Sequence, residues 1–151
     1  MNEIANKIKD FKDKTLLIVD DDHPFRDRLA RSMEKKGFAV SQAEGIKSGV
    51  QKVKEIRPKF AVVDLRLTDG NGLEVVKAVQ ETRRESRIVM LTGYGNIPTA
   101  VAAIKEGAID YLAKPADADD IEKALLVDSN AKPQPPENPM SADRVKWEHI
   151  H

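Results

Sequence analysis

Phe60-Ala61-Val62-Val63-Asp64 places four apolar residues, two of them β-branched, directly before a carboxylate. A short apolar run of this kind predicts a strand buried on both faces of a parallel sheet, covered by helices encoded before and after it. Asp64 then falls at the strand's carboxyl end, the edge of an open α/β sheet where ligands bind. On position alone Asp64 could equally cap the following loop, so the neighbouring segments have to decide.

Those segments repeat one pattern. Upstream, Thr15 to Val19 (TLLIV) predicts a first strand ending in Asp20, Asp21 and Asp22. Pro24, with Phe25, Leu29 and Met33 at helical spacing, predicts a helix that stops at Gly37. Asp22 is its expected N-cap. Phe38 to Ala43 predicts a weaker second strand, and Ile46, Val50 and Val53 mark a second helix that ends before Pro58. Downstream, Leu65 to Gly72 (LRLTDGNG) is rich in turn formers and predicts a loop. Leu73, Val76 and Val79 mark the third helix, and Arg87 to Leu91 the fourth strand, leading into Thr92. Pro98 to Glu106 predicts a short Ala-rich helix, Ile109 to Ala113 a fifth strand followed by Lys114 and Pro115, and Ala118 to Val127 the last helix. Five strand–helix alternations predict one doubly wound parallel sheet with helices on both faces.

Composition narrows the functional classes. With 151 residues and 40% hydrophobic content, the chain has enough material for one core plus a tail. Its 25 Lys and Arg balance 25 Asp and Glu, so no global charge draws it to nucleic acid. The absence of cysteine excludes disulfides, thiolate metal sites and a thiol switch within these residues, which places any redox sensing upstream. No apolar run approaches the roughly 20 residues of a membrane span, and MNEIANKIKD is too polar for a signal peptide, so the cytoplasm is the expected location.

All five strand ends point to the same edge, where acids (Asp20, Asp21, Asp22, Asp64), a hydroxyl (Thr92) and an amine (Lys114) would collect. Carboxylates concentrated in a crevice repel one another unless a cation neutralises them, and oxygen-only donors select a hard ion such as Mg2+. Mg2+ shares its coordination with water and phosphate oxygens, so the site has room for a phosphoryl group. A carboxylate nucleophile with Lys114 and Thr92 beside it suits phosphoryl transfer, which depends on positioning and charge neutralisation.

VDDD, VVDL, DGNGLE, LTGYGN and DYLAKP, in this order and spacing between Thr15 and about Val127, resemble the receiver domain of two-component response regulators. The resemblance implies a flavodoxin-like (CheY-like) fold with strand order 2-1-3-4-5. It makes Asp64 the phosphoacceptor, charged by a cognate sensor histidine kinase. It makes Asp21, Asp64 and the backbone carbonyl of Arg66 direct ligands of Mg2+, with Asp20 acting mainly through water. Thr92 and Tyr111 match the hydroxyl and aromatic switch positions, and Lys114 the invariant lysine. Pro115, often cis in the family, and Gly72 have structural roles. The charges on the fourth helix, fifth strand and fifth helix read most simply as a solvated face, and they also fall where many receivers form phosphorylation-dependent homodimers. The family is a phosphoacceptor, not an enzyme beyond self-catalysed transfer and slow autodephosphorylation.

Finer detail (LTGYGNIPTAVAAIKEGAIDYLAKPADADD and ENPMSADRVKWEHI) resembles the RegA/PrrA/ActR type of redox-responsive regulator, in which a Fis-like helix-turn-helix domain follows. The expected layout is an N-terminal helical extension over 1–13 (Ile4, Ile8, Phe11), the receiver over 14–128 and a Pro-rich linker over 129–140. Residues 141–151 (Ser141, Val145, Trp147, Ile150) are then the start of a missing DNA-binding domain, and DNA would be reached only through it. Plainer readings stand beside several of these residues. Tyr111 could be a core aromatic, and His23, His149 and His151 surface histidines; Tyr94 reads as a surface residue, or, two positions after Thr92, as a bulky group limiting water access to the phosphoryl group. Two other classes compete with the whole reading. Asp20 and Asp22 have the D-x-D spacing of a haloacid-dehalogenase-like phosphatase, but His23 and Pro24 follow and no cap insertion is visible. A receiver fold that binds partners without phosphorylation usually lacks acids or the lysine, and all are present.

Overall fold

The computed structural model describes residues 12–93 and 97–126, and of Ile97 only the backbone. The predicted N-terminal helix, Tyr94, the Pro-rich linker, the segment from Ser141 onward, His149 and His151 lie outside the described residues. Among the described residues seven strands and five helices follow one another: β1 (Thr15–Val19), α1 (His23–Lys36), β2 (Ala39–Ala43), α2 (Ile46–Ile56), β3 (Phe60–Asp64), β4 (Arg66–Leu67), β5 (Gly70–Asn71), α3 (Leu73–Thr82), β6 (Arg87–Thr92), α4 (Ile97–Lys105), β7 (Asp110–Ala113) and α5 (Ala118–Leu126).

Five of the strands form one parallel sheet in the order β2-β1-β3-β6-β7. This is the predicted order 2-1-3-4-5 once the two short extra strands are counted. The centre is occupied by the most apolar strands: every residue of β3 is buried, and so are four of the five in β1. The edge strand β2 (AVSQA) keeps exposed and half-buried positions, as its weaker pattern implied.

The turn-rich stretch after Asp64 departs from the predicted loop. β4 and β5 pair antiparallel as a small hairpin, with Arg66 opposite Asn71 and Leu67 opposite Gly70. The turn formers do make the reversal, at Thr68 and Asp69, and Gly70 takes a φ of 141° that favours glycine. Burial of Leu67 and a hydrogen bond from Gly72 N–H to the Leu65 carbonyl (2.9 Å) hold the two arms against the body. The hairpin also completes a helix. Gly45, the N-cap of α2, has no side chain to accept the first free amides, and the Asp69 carboxylate accepts them instead from Ile46 (2.8 Å) and Lys47 (3.3 Å). A Cβ on Gly45 would lie 2.8 Å from Asp69 Oδ1.

Alternation along the strands sorts the core into two halves. Leu16, Ile18, Phe60, Val62, Val89 and Leu91 face α1 and α5. Leu17, Val19, Ala61, Val63, Ile88 and Met90 face α2, α3 and α4. Continued to the strand ends, the same parity puts Asp20, Asp64 and Lys114 on the α1/α5 side. It puts Thr92 and Tyr111 on the other, where the Tyr111 ring packs against the second cluster.

Candidate functional site

Sheet hydrogen bonds run past the strand ends and fix the site's backbone. Asp20 N–H donates to the Ala43 carbonyl (3.1 Å), Leu65 N–H to Leu91 (2.8 Å) and Lys114 N–H to Thr92 (2.8 Å). The residues predicted from sequence are therefore gathered at one edge by the ladder itself. Gly72 is held there as well: a Cβ on it would lie 2.4 Å from the Asp64 carbonyl oxygen, so the start of α3 can pass this close only without a side chain.

Asp20, Asp21 and Asp64 each bring a carboxylate oxygen to within 4.8 Å of the others. Asp20 is fully buried and Asp64 nearly so, while Asp21 is exposed. Lys114 Nζ reaches into this group and donates to Asp20 Oδ2 (3.0 Å) and Asp64 Oδ2 (3.2 Å). The remaining Asp64 oxygen accepts the Arg66 N–H (3.2 Å), and Asp20 Oδ1 accepts the Asp22 N–H (2.9 Å). Asp22 itself caps α1, accepting the Phe25 N–H, as expected, and takes no part in the acidic group. Thr92 is buried at the end of β6, where its hydroxyl donates to the Gly93 carbonyl (3.1 Å). Pro115 follows a cis peptide bond.

Three carboxylates face one ammonium, and the imbalance shows at Asp64. Burial, reinforced by the charge of Asp20, pushes the Asp64 carboxyl from the usual 3.8 up to about 6, against the pull of Lys114 and the Arg66 amide. Burial also works against the charge on Lys114, but hydrogen bonds and attraction from Asp20 and Asp64 outweigh it and hold its pKa above the usual range. A cluster of oxygen donors that remains negative after its lysine is counted suits a small divalent cation. Asp21 and Asp64 have accessible surface for direct ligation, and Asp20 has none.

Several contacts at the site had no signal in the motif reading. Thr68, at the tip of the hairpin, donates to Asp21 Oδ2 (2.7 Å). Arg26 donates to the Asp20 carbonyl (2.7 Å) and to Gln42 Oε1 (2.9 Å), tying α1 and β2 to the acidic turn. Phe25, read from sequence only as one of the apolar residues whose spacing marks α1, lies with its ring 4.9 Å from Lys114 Nζ. Each joins residues far apart in the chain, so local pattern could not pair them.

A doubly wound parallel sheet thus gathers acids from two strand ends and a lysine from a third at one edge. The response regulator receiver domain family matches residues 16–126, and this chain belongs to it. Within that family the chain is 63% identical to the photosynthetic apparatus regulatory protein RegA of Rhodobacter capsulatus, over 91% of this chain and 75% of that protein. It is 61% identical to the acid tolerance regulatory protein ActR of Rhizobium meliloti, over 91% of this chain and 71% of that one. Among solved structures, a response regulator from Burkholderia pseudomallei with a phosphorylated aspartic acid and a calcium ion superposes with a TM-score of 0.73 at 34% identity, covering 91% of this chain and 82% of that one. A CheY-like receiver from Methanospirillum hungatei gives 0.70 at 25%, covering 91% and 99%. The chain is thus a response regulator receiver of the two-component class, homologous to RegA and ActR, and it falls in a regulatory rather than a catalytic enzyme family. The phosphatase reading of Asp20 and Asp22 is thereby set aside. Among the described residues no helix is long and apolar enough to cross a membrane.

Proposed function

We propose that Asp64 accepts a phosphoryl group from a phosphohistidine of a sensor histidine kinase. The observation that carries this reading is the nearly buried Asp64 carboxylate at the sheet edge, pressed by Asp20 and answered by a single lysine. An Asp64 carboxylate oxygen attacks phosphorus, the bond from phosphorus to the donor breaks, and the donor leaves with its electron pair. Lys114 neutralises charge on the transferred group and hands over one of its present acceptors as it does so. Asp21, Asp64 and the Arg66 carbonyl would hold Mg2+, with Asp20 acting through water. When bound, the ion supplies positive charge to the phosphoryl oxygens.

Thr92 then turns its hydroxyl from Gly93 toward a phosphoryl oxygen, and Tyr111 moves into the space vacated. Their common position on the α3/α4 side of the sheet supports a joint movement. Such a switch needs two states of similar free energy, so that a few contacts at the phosphate shift the population. The readout is a homodimer through α4, β7 and α5. The receiver (14–128) passes this state through the Pro-rich segment 129–140 to a helix-turn-helix output domain beginning at 141. Transcription responds through that domain, and slow autodephosphorylation resets the receiver. The relation to the regulatory proteins RegA and ActR supports the output reading.

The test is intact mass and size-exclusion elution with acetyl phosphate or beryllofluoride, with and without Mg2+, for the wild type and Asp64→Asn. A single Mg2+-dependent phosphoryl adduct and a shift toward dimer, both lost in the variant, are expected. No adduct in the wild type would favour a receiver that binds partners without phosphorylation.

A further inference from the structure

Lys114 carries its charge on a flexible four-carbon stem, and its side chain remains 25% exposed. Two hydrogen bonds, to Asp20 and Asp64, leave the third donor of the ammonium and the long stem to be confined by other neighbours. The Phe25 ring supplies another wall. Its centroid lies 4.9 Å from Nζ, within range for a cation over an aromatic face. The ring is itself held firmly. Phe25 sits in the first turn of α1, where the Asp22 cap accepts its N–H (3.1 Å), and its side chain packs on the α1/α5 half of the core. Strand parity puts Lys114 and both of its acceptors on that same half. Beside the ring, a cleft of about 390 Å³ lined by Arg28, Leu29 and Ala116 leaves room for side chains of other shapes.

We propose that Phe25 is a positioning residue for phosphoryl transfer, its ring face holding the Lys114 ammonium against Asp20 and Asp64. The inference rests on Asp64 being the acceptor. A merely structural Phe25 would be replaced by leucine at least as well as by the bulkier tryptophan. A cation-holding ring gives the reverse order, because tryptophan offers the strongest aromatic face and leucine none.

The test compares wild type, Phe25→Leu and Phe25→Trp in two measurements on the whole chain. One is the initial rate of phosphoryl uptake from acetyl phosphate with Mg2+. The other is the NMR shift of the Lys114 ε-methylene protons, which a ring face moves upfield. The expected result is an upfield shift lost in Phe25→Leu, uptake slowed about three- to tenfold in that variant, and Phe25→Trp within about twofold of wild type. Uptake by Phe25→Leu equal to wild type, or Phe25→Trp as slow as Phe25→Leu, overturns the proposal. A wild type that takes up no phosphoryl group overturns the acceptor assignment as well, while the methylene shift separately reports whether ring and ammonium meet.

Discussion

At the amino edge of the sheet Asp13 is surrounded by donors. Its Oδ1 accepts the Thr15 hydroxyl (2.6 Å) and N–H (3.0 Å), and its Oδ2 meets Arg83 at 2.5 Å. Burial works to raise its pKa, but these bonds overcome it and hold the carboxyl at about 2. The same neighbourhood is closed by further bonds: Thr15 Oγ1 accepts the Lys59 N–H (2.9 Å) and the Ser86 hydroxyl donates to the Pro58 carbonyl (2.6 Å). At the carboxyl edge Asp64 has one lysine and one amide against burial and a second carboxylate, and it is pushed up to about 6. One end of the sheet spends its charges on holding the strands together. The other keeps negative charge in excess, which lowers stability and leaves attraction available for a cation and a phosphoryl group.

The largest effect that sharpens this contrast is chemical. Asp64→Asn should lose phosphoryl uptake from acetyl phosphate altogether, whereas Asp13→Asn should label at the wild-type rate. Intact mass reads both, and labelled Asp64→Asn would break the assignment of the two edges.

Next in size is Gly72→Ala. Its Cβ would lie 2.4 Å from the Asp64 carbonyl and 2.9 Å from Val63 Cγ1, so the hairpin or the start of α3 must move. We expect a loss of about 2–4 kcal/mol in urea unfolding, from strain at a close-packed backbone. A loss below half a kcal/mol would show that the hairpin is free to shift.

The stability of the two aspartates should then run in opposite directions with pH. In EDTA at pH 7.5, Asp64→Asn should stabilise the protein by about 1–2 kcal/mol, because a carboxylate disfavoured by burial and by Asp20 is removed. The folded-state pKa of Asp64 is raised, to about 6 from 3.8, so its cost is absent below about pH 4 and grows as pH rises through 6. The gain should therefore vanish in acid. Asp13→Asn should instead destabilise by about 1 kcal/mol, a value reduced for solvent screening because the carboxylate is 35% exposed. The folded-state pKa of Asp13 is depressed, to about 2, so its contribution is complete above about pH 4 and is lost as pH falls toward 2. Parallel pH profiles for the two variants would refute the contrast.

Sequence by itself determined the alternation, the strand order through the family resemblance, and the residues at the strand ends. Apolar runs and helical spacing are local patterns, and the parallel sheet carries the residue after each run to one edge. Asp20, Asp21, Asp64, Thr92 and Lys114 were legible for that reason, as was the Asp22 cap. Tertiary structure alone decided what meets what. The hairpin after Asp64 depends on burying Leu67 and bonding Gly72 to Leu65; its turn-rich sequence fits an open loop equally well. Asp69 on α2, Thr68 on Asp21 and Phe25 against Lys114 join residues 23, 47 and 89 positions apart. Such contacts exist only once strands fix the distances between segments, and they set the protonation and aim of groups whose identity the chain had already supplied.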